Sequence, residues 1–208
     1  MPTQINVVFV YGAGPDNRYG EALRHLRECT INEFGSRIYS PEIIDHKDGD
    51  RLAEWLSEWN DPTILVGHSC GSETVTEAAN NQWEEVIPFI MAIAPSIYCD
   101  PDPVGANVAR ITQASSDEND NFNPRNKTLI SVGEGNTTTV LDVIYTGMPH
   151  LEAPYSPLVQ ERLFAEINRA LTGDVTPPEP QPEPEPKVVT VTIKHPVGVT
   201  VTVEKIQE

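Results

Sequence analysis

Five consecutive residues, Gly67-His68-Ser69-Cys70-Gly71, have the types and spacing of a nucleophilic serine held on a tight turn. They follow the apolar run Thr63-Ile64-Leu65-Val66 and precede residues 71–80, which read as a helix. A strand that turns at once into a helix leaves no room for side chains two residues before and after the serine. It also forces the serine into a strained conformation that projects its hydroxyl. The chemistry such a serine performs is acyl transfer, with the positive end of the helix dipole directed at it. Cys70 is a second nucleophile by type, because a helix N-terminus lowers a thiol pKa. The geometry of the turn exposes residue 69, however, and Cys70 reads as packing plus a backbone donor. The glycines of Tyr11-Gly12-Ala13-Gly14 invite a phosphate-loop reading, but neither G-x-x-x-x-G-K-[ST] nor G-x-G-x-x-G is present.

The elements that must hold this turn alternate along the chain. Residues 5–11, 36–39, 63–66, 89–94, 108–114 and 141–145 read as strands. Residues 19–33, 49–59, 71–80 and 157–171 read as helices, and 128–133 as an extra strand or a structured excursion. This order predicts an α/β fold, a doubly wound and mostly parallel sheet with helices on both faces. Leu52, Trp55, Leu56 and Trp59 fall on one face of their helix, so the two tryptophans are expected in the core rather than as a sugar platform. The connection between residues 94 and 108 is too short for a large cap, which predicts a shallow, open cleft. Pro and Glu nearly alternate over residues 176–187, an extended, semi-rigid spacer in which every proline removes a backbone donor. Beyond it, Val or Ile alternates with Thr on both sides of His195-Pro196-Val197-Gly198, the pattern of two strands around a turn. Three segments result: an α/β domain at 1–173, a Pro/Glu-rich linker at 174–187 and a short β tail at 188–208.

Residues 6–96, with VFVYGAG, LAEWLSEW and PTILVGHSCG, resemble the small serine hydrolases of the retinoblastoma-binding-protein-9 type. The later ITQASSDEND and VIYTGMPHL are more similar to the compact, lidless lipases. Both belong to the α/β-hydrolase superfamily, and the resemblance spans about residues 5 to 172. It implies an esterase or lipase with a triad in the chain order Ser, acid, His. Of the five histidines, His25 lies in a helical pattern, His46 in a polar loop, His68 within the elbow and His195 beyond the spacer. His150, between the strand at 141–145 and the last helix, stands where the superfamily places its base. The acid belongs on the loop after residues 108–114. Asp120, with Pro124 four residues on, matches the D-x-x-x-P pattern and is preferred; Asp117 matches the serine-rich acid loop, and Glu118 and Glu134 remain open. The oxyanion donors would be the amides of Cys70 and Ala13. Tyr11-Gly12 stands where family members often have His-Gly.

The 208-residue chain has 14 Lys plus Arg against 31 Asp plus Glu, a formal charge of −17. Such a balance argues against nucleic acid and against anionic membrane surfaces, both of which need clustered cations. No apolar run approaches a membrane span, and the N-terminus lacks the basic region and cleavage site of a signal peptide, so the expectation is a soluble protein, cytoplasmic by default, with a virion- or surface-attached role left open. The three cysteines form no close pair and are expected as reduced thiols. No cofactor or metal is expected; the acidic stretch 117–120 lacks EF-hand spacing. The expected partner is a small-molecule or lipid ester. An alternative of another class makes the fold a binding or assembly module, with the tail mediating self-association or attachment to a cell wall, particle or surface.

Overall fold

The computed structural model describes residues 4–12, 18–81, 86–116, 128–174, 188–194 and 200–206. The chain divides into two compact units, Met1–Pro177 and Pro178–Glu208. In the first, strands β1 (Ile5–Tyr11), β2 (Ile38–Tyr39), β3 (Ile44–Asp45), β4 (Thr63–His68), β5 (Phe89–Ile93), β6 (Arg110–Ser115) and β7 (Val140–Tyr145) form one sheet. Its order is β2-β1-β4-β5-β6-β7, with β3 also beside β1, and every pairing is parallel.

Parallel strands need crossovers, and helices α1 (Arg18–Phe34), α2 (Gly49–Glu58), α3 (Gly71–Asn80) and α4 (Pro157–Leu171) cover the sheet. Alternation along β1 shows how. Ile5, Val7 and Phe9 pack with Leu23 and Leu26 of α1 and with Val159, Leu163 and Ile167 of α4. Val8 and Val10 pack on the other face with Leu52 and Leu56 of α2 and with Val75, Ala78 and Ala79 of α3. Because both faces are covered, β1, β4 and β5 read as nearly continuous apolar runs, and β6 is buried along its whole length although four of its six residues are polar. The architecture is α/β and doubly wound. Trp55 and Trp59 stack at 5.4 Å and are half-buried against the second cluster.

Of the two readings open for residues 128–133, an extra strand or a structured excursion, the structure has the excursion. Val132 makes one isolated bridge to Val104, while the amides of Leu129 and Ile130 donate to the side-chain oxygen of Gln113 at 2.8 and 3.0 Å. A buried side chain thus satisfies donors that a strand would give to a neighbour. The two-residue β3 was not expected at all, and it carries Asp45 to the end of β1.

One charged cluster is buried at the β6–β7 edge. Glu166 of α4, only 2% exposed, meets Arg110 of β6 at 3.2 Å, Arg169 at 3.2 Å and Arg162 at 3.6 Å. Arg162 also pairs with Asp142 of β7.

No helix among the described residues is long and apolar enough to cross a membrane. In the second unit, β8 (Val188–Lys194) and β9 (Thr200–Ile206) pair antiparallel, with Val191 opposite Val203 and Thr192 opposite Thr202, so the two alternations stay in phase.

Candidate active site

At the carboxyl end of β4 the chain leaves the sheet through Ser69, whose φ of 55° lies in the left-handed region. For a residue with a β-carbon this is a strained conformation, of the kind concentrated at functional sites. Its surroundings enforce it. The Ser69 amide donates to the Ile93 carbonyl of β5 at 2.9 Å, which keeps the residue in line with the sheet. The Ser69 carbonyl accepts from Ser72 at 3.0 Å, which starts α3.

Three glycines allow this crowding. A β-carbon at Gly67 would stand 2.6 Å from the carbonyl carbon of Gly71, one at Gly71 would stand 2.8 Å from that of Val10, and one at Gly12 would stand 2.7 Å from the Cys70 nitrogen. Strand β1, the turn after it, and the elbow are therefore in main-chain contact. Gly71→Ala should cost about 1–3 kcal/mol through this overpacking. A thermal melt should show it as a fall in Tm of roughly 3–10 °C. A melt unchanged within 1 °C would mean that β1 and α3 can separate freely.

The second side chain arrives from the other end of the chain. After β7, Thr146 is fastened to the end of β6: its amide and hydroxyl both donate to the Ser115 carbonyl, at 2.9 and 3.1 Å. Gly147 then turns the chain with φ of 66°. The Pro149 carbonyl accepts from Glu152 and Ala153 at 2.9 Å, opening the short helical turn Ala153–Tyr155, with Ala153 in the core. His150 is thereby held between two anchored points. Its Nε2 lies 2.9 Å from Ser69 Oγ. Ser69 and His150 are 5% and 6% exposed.

The remaining expected site residues are placed as follows. Asp120, Asp117 and Glu118 lie outside the described residues, as does Ala13. The chain is described up to Ser116, which is 1% exposed and follows β6, beside the strand that leads to His150. Glu134 is exposed on a turn after Val132. Cys70 caps α3, and its amide is a described candidate donor. Its side chain corrects the expectation of reduced thiols: Cys70 and Cys99 form a disulfide, with Cα atoms 5.5 Å apart. The signal was indirect, since Cys70 follows β4 and Cys99 follows β5, and only the strand order makes those ends neighbours.

Among the described residues, two further histidines have partners of their own and a third meets this pair. His25 packs on Tyr155 with ring centroids 5.2 Å apart, and His46 pairs with Asp45 at 2.7 Å. His195 lies outside the described residues. His68, in contrast, is fully buried, and its Nε2 is 2.9 Å from the main-chain oxygen of His150.

Tyr11, at the end of β1, bonds Asp45. Burial and then the neighbouring carboxylate push its phenol above the ordinary range. Burial would push the Asp45 carboxyl up as well, but hydrogen bonds from the Lys47 amide and the Tyr11 hydroxyl outweigh it and hold the carboxyl below its ordinary value. Tyr11 is thus engaged with β3 through its side chain, which leaves the turn at Gly12 to approach the elbow by backbone alone. Among the described residues no group of three His, Cys, Asp or Glu is placed to hold a metal ion.

No protein-family model matches the chain. No curated protein sequence matches it either. Solved structures do. A protein of Pectobacterium atrosepticum assigned as a YdeN-like hydrolase is 17% identical over 81% of this chain and 92% of its own, with a TM-score of 0.49. A protein of Xanthomonas campestris pv. campestris assigned to the α/β hydrolase superfamily is 16% identical over 83% and 96%, at 0.40. A cutinase-like protein from Cryptococcus sp. is 15% identical over 81% and 95%, at 0.47. At these identities and scores the reading of the site rests on the chain's own residues. The parallel sheet covered on both faces, the positive-φ serine between β4 and α3, and a histidine following the last strand of the sheet together make this the α/β-hydrolase fold.

Proposed function

We propose that the chain is a serine hydrolase of carboxylic esters, of the esterase or lipase type, working through an acyl-enzyme. One observation carries the reading: Ser69 is held at positive φ with its Oγ 2.9 Å from His150 Nε2. That distance suits a proton transfer, and an imidazole is suited to accept and return a proton near neutral pH. In the proposed cycle Oγ attacks the ester carbonyl carbon while its proton passes to Nε2 of His150. The tetrahedral oxyanion takes hydrogen bonds from the amides of Cys70 and Ala13. As the carbon–oxygen bond to the leaving alcohol breaks, His150 returns the proton to it. Water, deprotonated by the same imidazole, then releases the acid and restores Ser69. Asp120, or failing it Asp117, orients His150 and stabilises its charged form. The cycle itself uses no metal or cofactor.

The test is labelling by a fluorophosphonate probe, which reports an activated serine directly, followed by chromogenic esters of increasing acyl length. Labelling and hydrolysis that are both abolished in Ser69→Ala, with an unchanged melt, are the expected result. A folded wild-type protein that takes no label would sink the proposal.

The tail supports a second reading that is compatible with the first. Because β8 and β9 pair within a unit of their own, following the Pro/Glu-rich stretch, we propose that 188–208 attaches the hydrolase domain at 1–173 to a partner or to another copy. A chain ending at Gly173 should then hydrolyse esters at the full rate while losing any self-association or surface attachment of the full chain.

A further inference from the structure

We propose that His68 is a positioning residue, which sets the approach of His150 to Ser69 by holding the main chain of the base. The inference rests on the proposed roles of Ser69 and His150 and adds to them a residue that an elbow motif treats as variable. His68 is the last residue of β4, where side chains alternate between the two faces of the sheet. Gly67 faces α3, as its close approach to Gly71 and Ser72 shows. His68 therefore faces the opposite layer, where the chain from His150 runs into the turn at Ala153–Tyr155.

There the imidazole is completely buried, and its Nε2 meets the His150 carbonyl at 2.9 Å, across 82 residues of sequence. A carbonyl can only accept, so Nε2 of His68 carries the hydrogen and donates it. The two rings lie 5.2 Å apart at 40°, so the bond ties one imidazole to the peptide that carries the other. The base is thus held at two points: its side chain at Ser69 Oγ, and its own carbonyl through a strand end that is continuous with Ser69. A shift of the His150 peptide away from the end of β4 stretches the second contact as well as the first.

This matters for rate because a misplacement of about 1 Å at a reacting group can cost ~100-fold. A residue that merely filled space at this position would not need a donor aimed at that carbonyl.

Three variants of the full chain separate the roles. In Gln the side-chain amide nitrogen reaches about as far as Nε2, in Asn it falls short, and Leu fills the space without a donor. With a chromogenic ester, His68→Leu and His68→Asn should lower kcat ~10- to 100-fold with KM changed less than about threefold. The rate of fluorophosphonate labelling should fall in parallel. His68→Gln should keep kcat within roughly fivefold. Thermal melts run alongside distinguish loss of positioning from loss of fold.

A wild-type kcat in His68→Leu would overturn the inference, as would equal losses of kcat and Tm in all three variants. Failure of the underlying reading looks different: activity in the wild-type protein would then survive Ser69→Ala.

Discussion

Replacement of His150 by Gln is expected to lower kcat for a chromogenic ester by about 10⁴-fold or more while leaving the melt close to that of the wild-type protein. A serine hydroxyl is a weak nucleophile until a base takes its proton, and removal of the base from a Ser-His pair typically removes most of the acceleration at once. Gln can occupy much of the imidazole's volume and can hydrogen-bond Ser69, but it cannot accept and hold a proton. The acid is tested in the same assay. Asp120→Asn should cost ~10³- to 10⁴-fold, because the imidazole loses the partner that fixes its tautomer, while Asp117→Asn should stay near the wild-type rate. A reversed pattern moves the acid three residues upstream. Retention of full activity in His150→Gln would refute the proposed base, and with it the positioning role of His68.

The largest effect on stability is expected at Glu166. Three guanidinium groups converge on its carboxylate, and it is 2% exposed, while Arg110 is 7% exposed. Glu166→Ala removes the 3.2 Å partner of the buried Arg110 and leaves it with Asp142, 3.8 Å away and 39% exposed, a change that costs about 3–5 kcal/mol. In a domain of this size that is a fall in Tm of roughly 10–15 °C. The comparison is Glu42→Ala, which breaks an ion pair to Arg51 of the same kind at 2.7 Å but with the two side chains 70% and 46% exposed. Solvent screens that pair, so the variant should melt within about 2 °C of the wild-type protein. Equal melts for the two variants would mean that the α4 contact with β6 does not depend on the buried charges.

The contrast between local and non-local signals explains what could be read before the structure. The elbow was legible because its causes lie within a dozen residues: an apolar run, two glycines around a serine, and a helical stretch. The helices at 71–80 and 157–171 begin and end where expected, with Pro157 in the first turn of α4. The choice between a strand and an excursion at 128–133 stayed open because Gln113, a residue of β6, supplies the acceptor that Leu129 and Ile130 need. Nothing inside 128–133 announces that. The short β3 has only two residues, too few to show a period. The Cys70–Cys99 bond and the contact from His68 to His150 depend on which strand ends are neighbours, so each needs the strand order first.

The disulfide also makes the elbow's state countable from outside. Of three cysteines, two are joined and Cys29 of α1 is the free thiol. An oxidised molecule therefore offers one position to a maleimide and a reduced one offers three, so the mass of the adduct reports whether the residue after Ser69 is tied or loose. An alkyl group on Cys70 would stand at the start of α3, on the residue that follows Ser69, so the stoichiometry of thiol capture reports on the same turn that carries the serine.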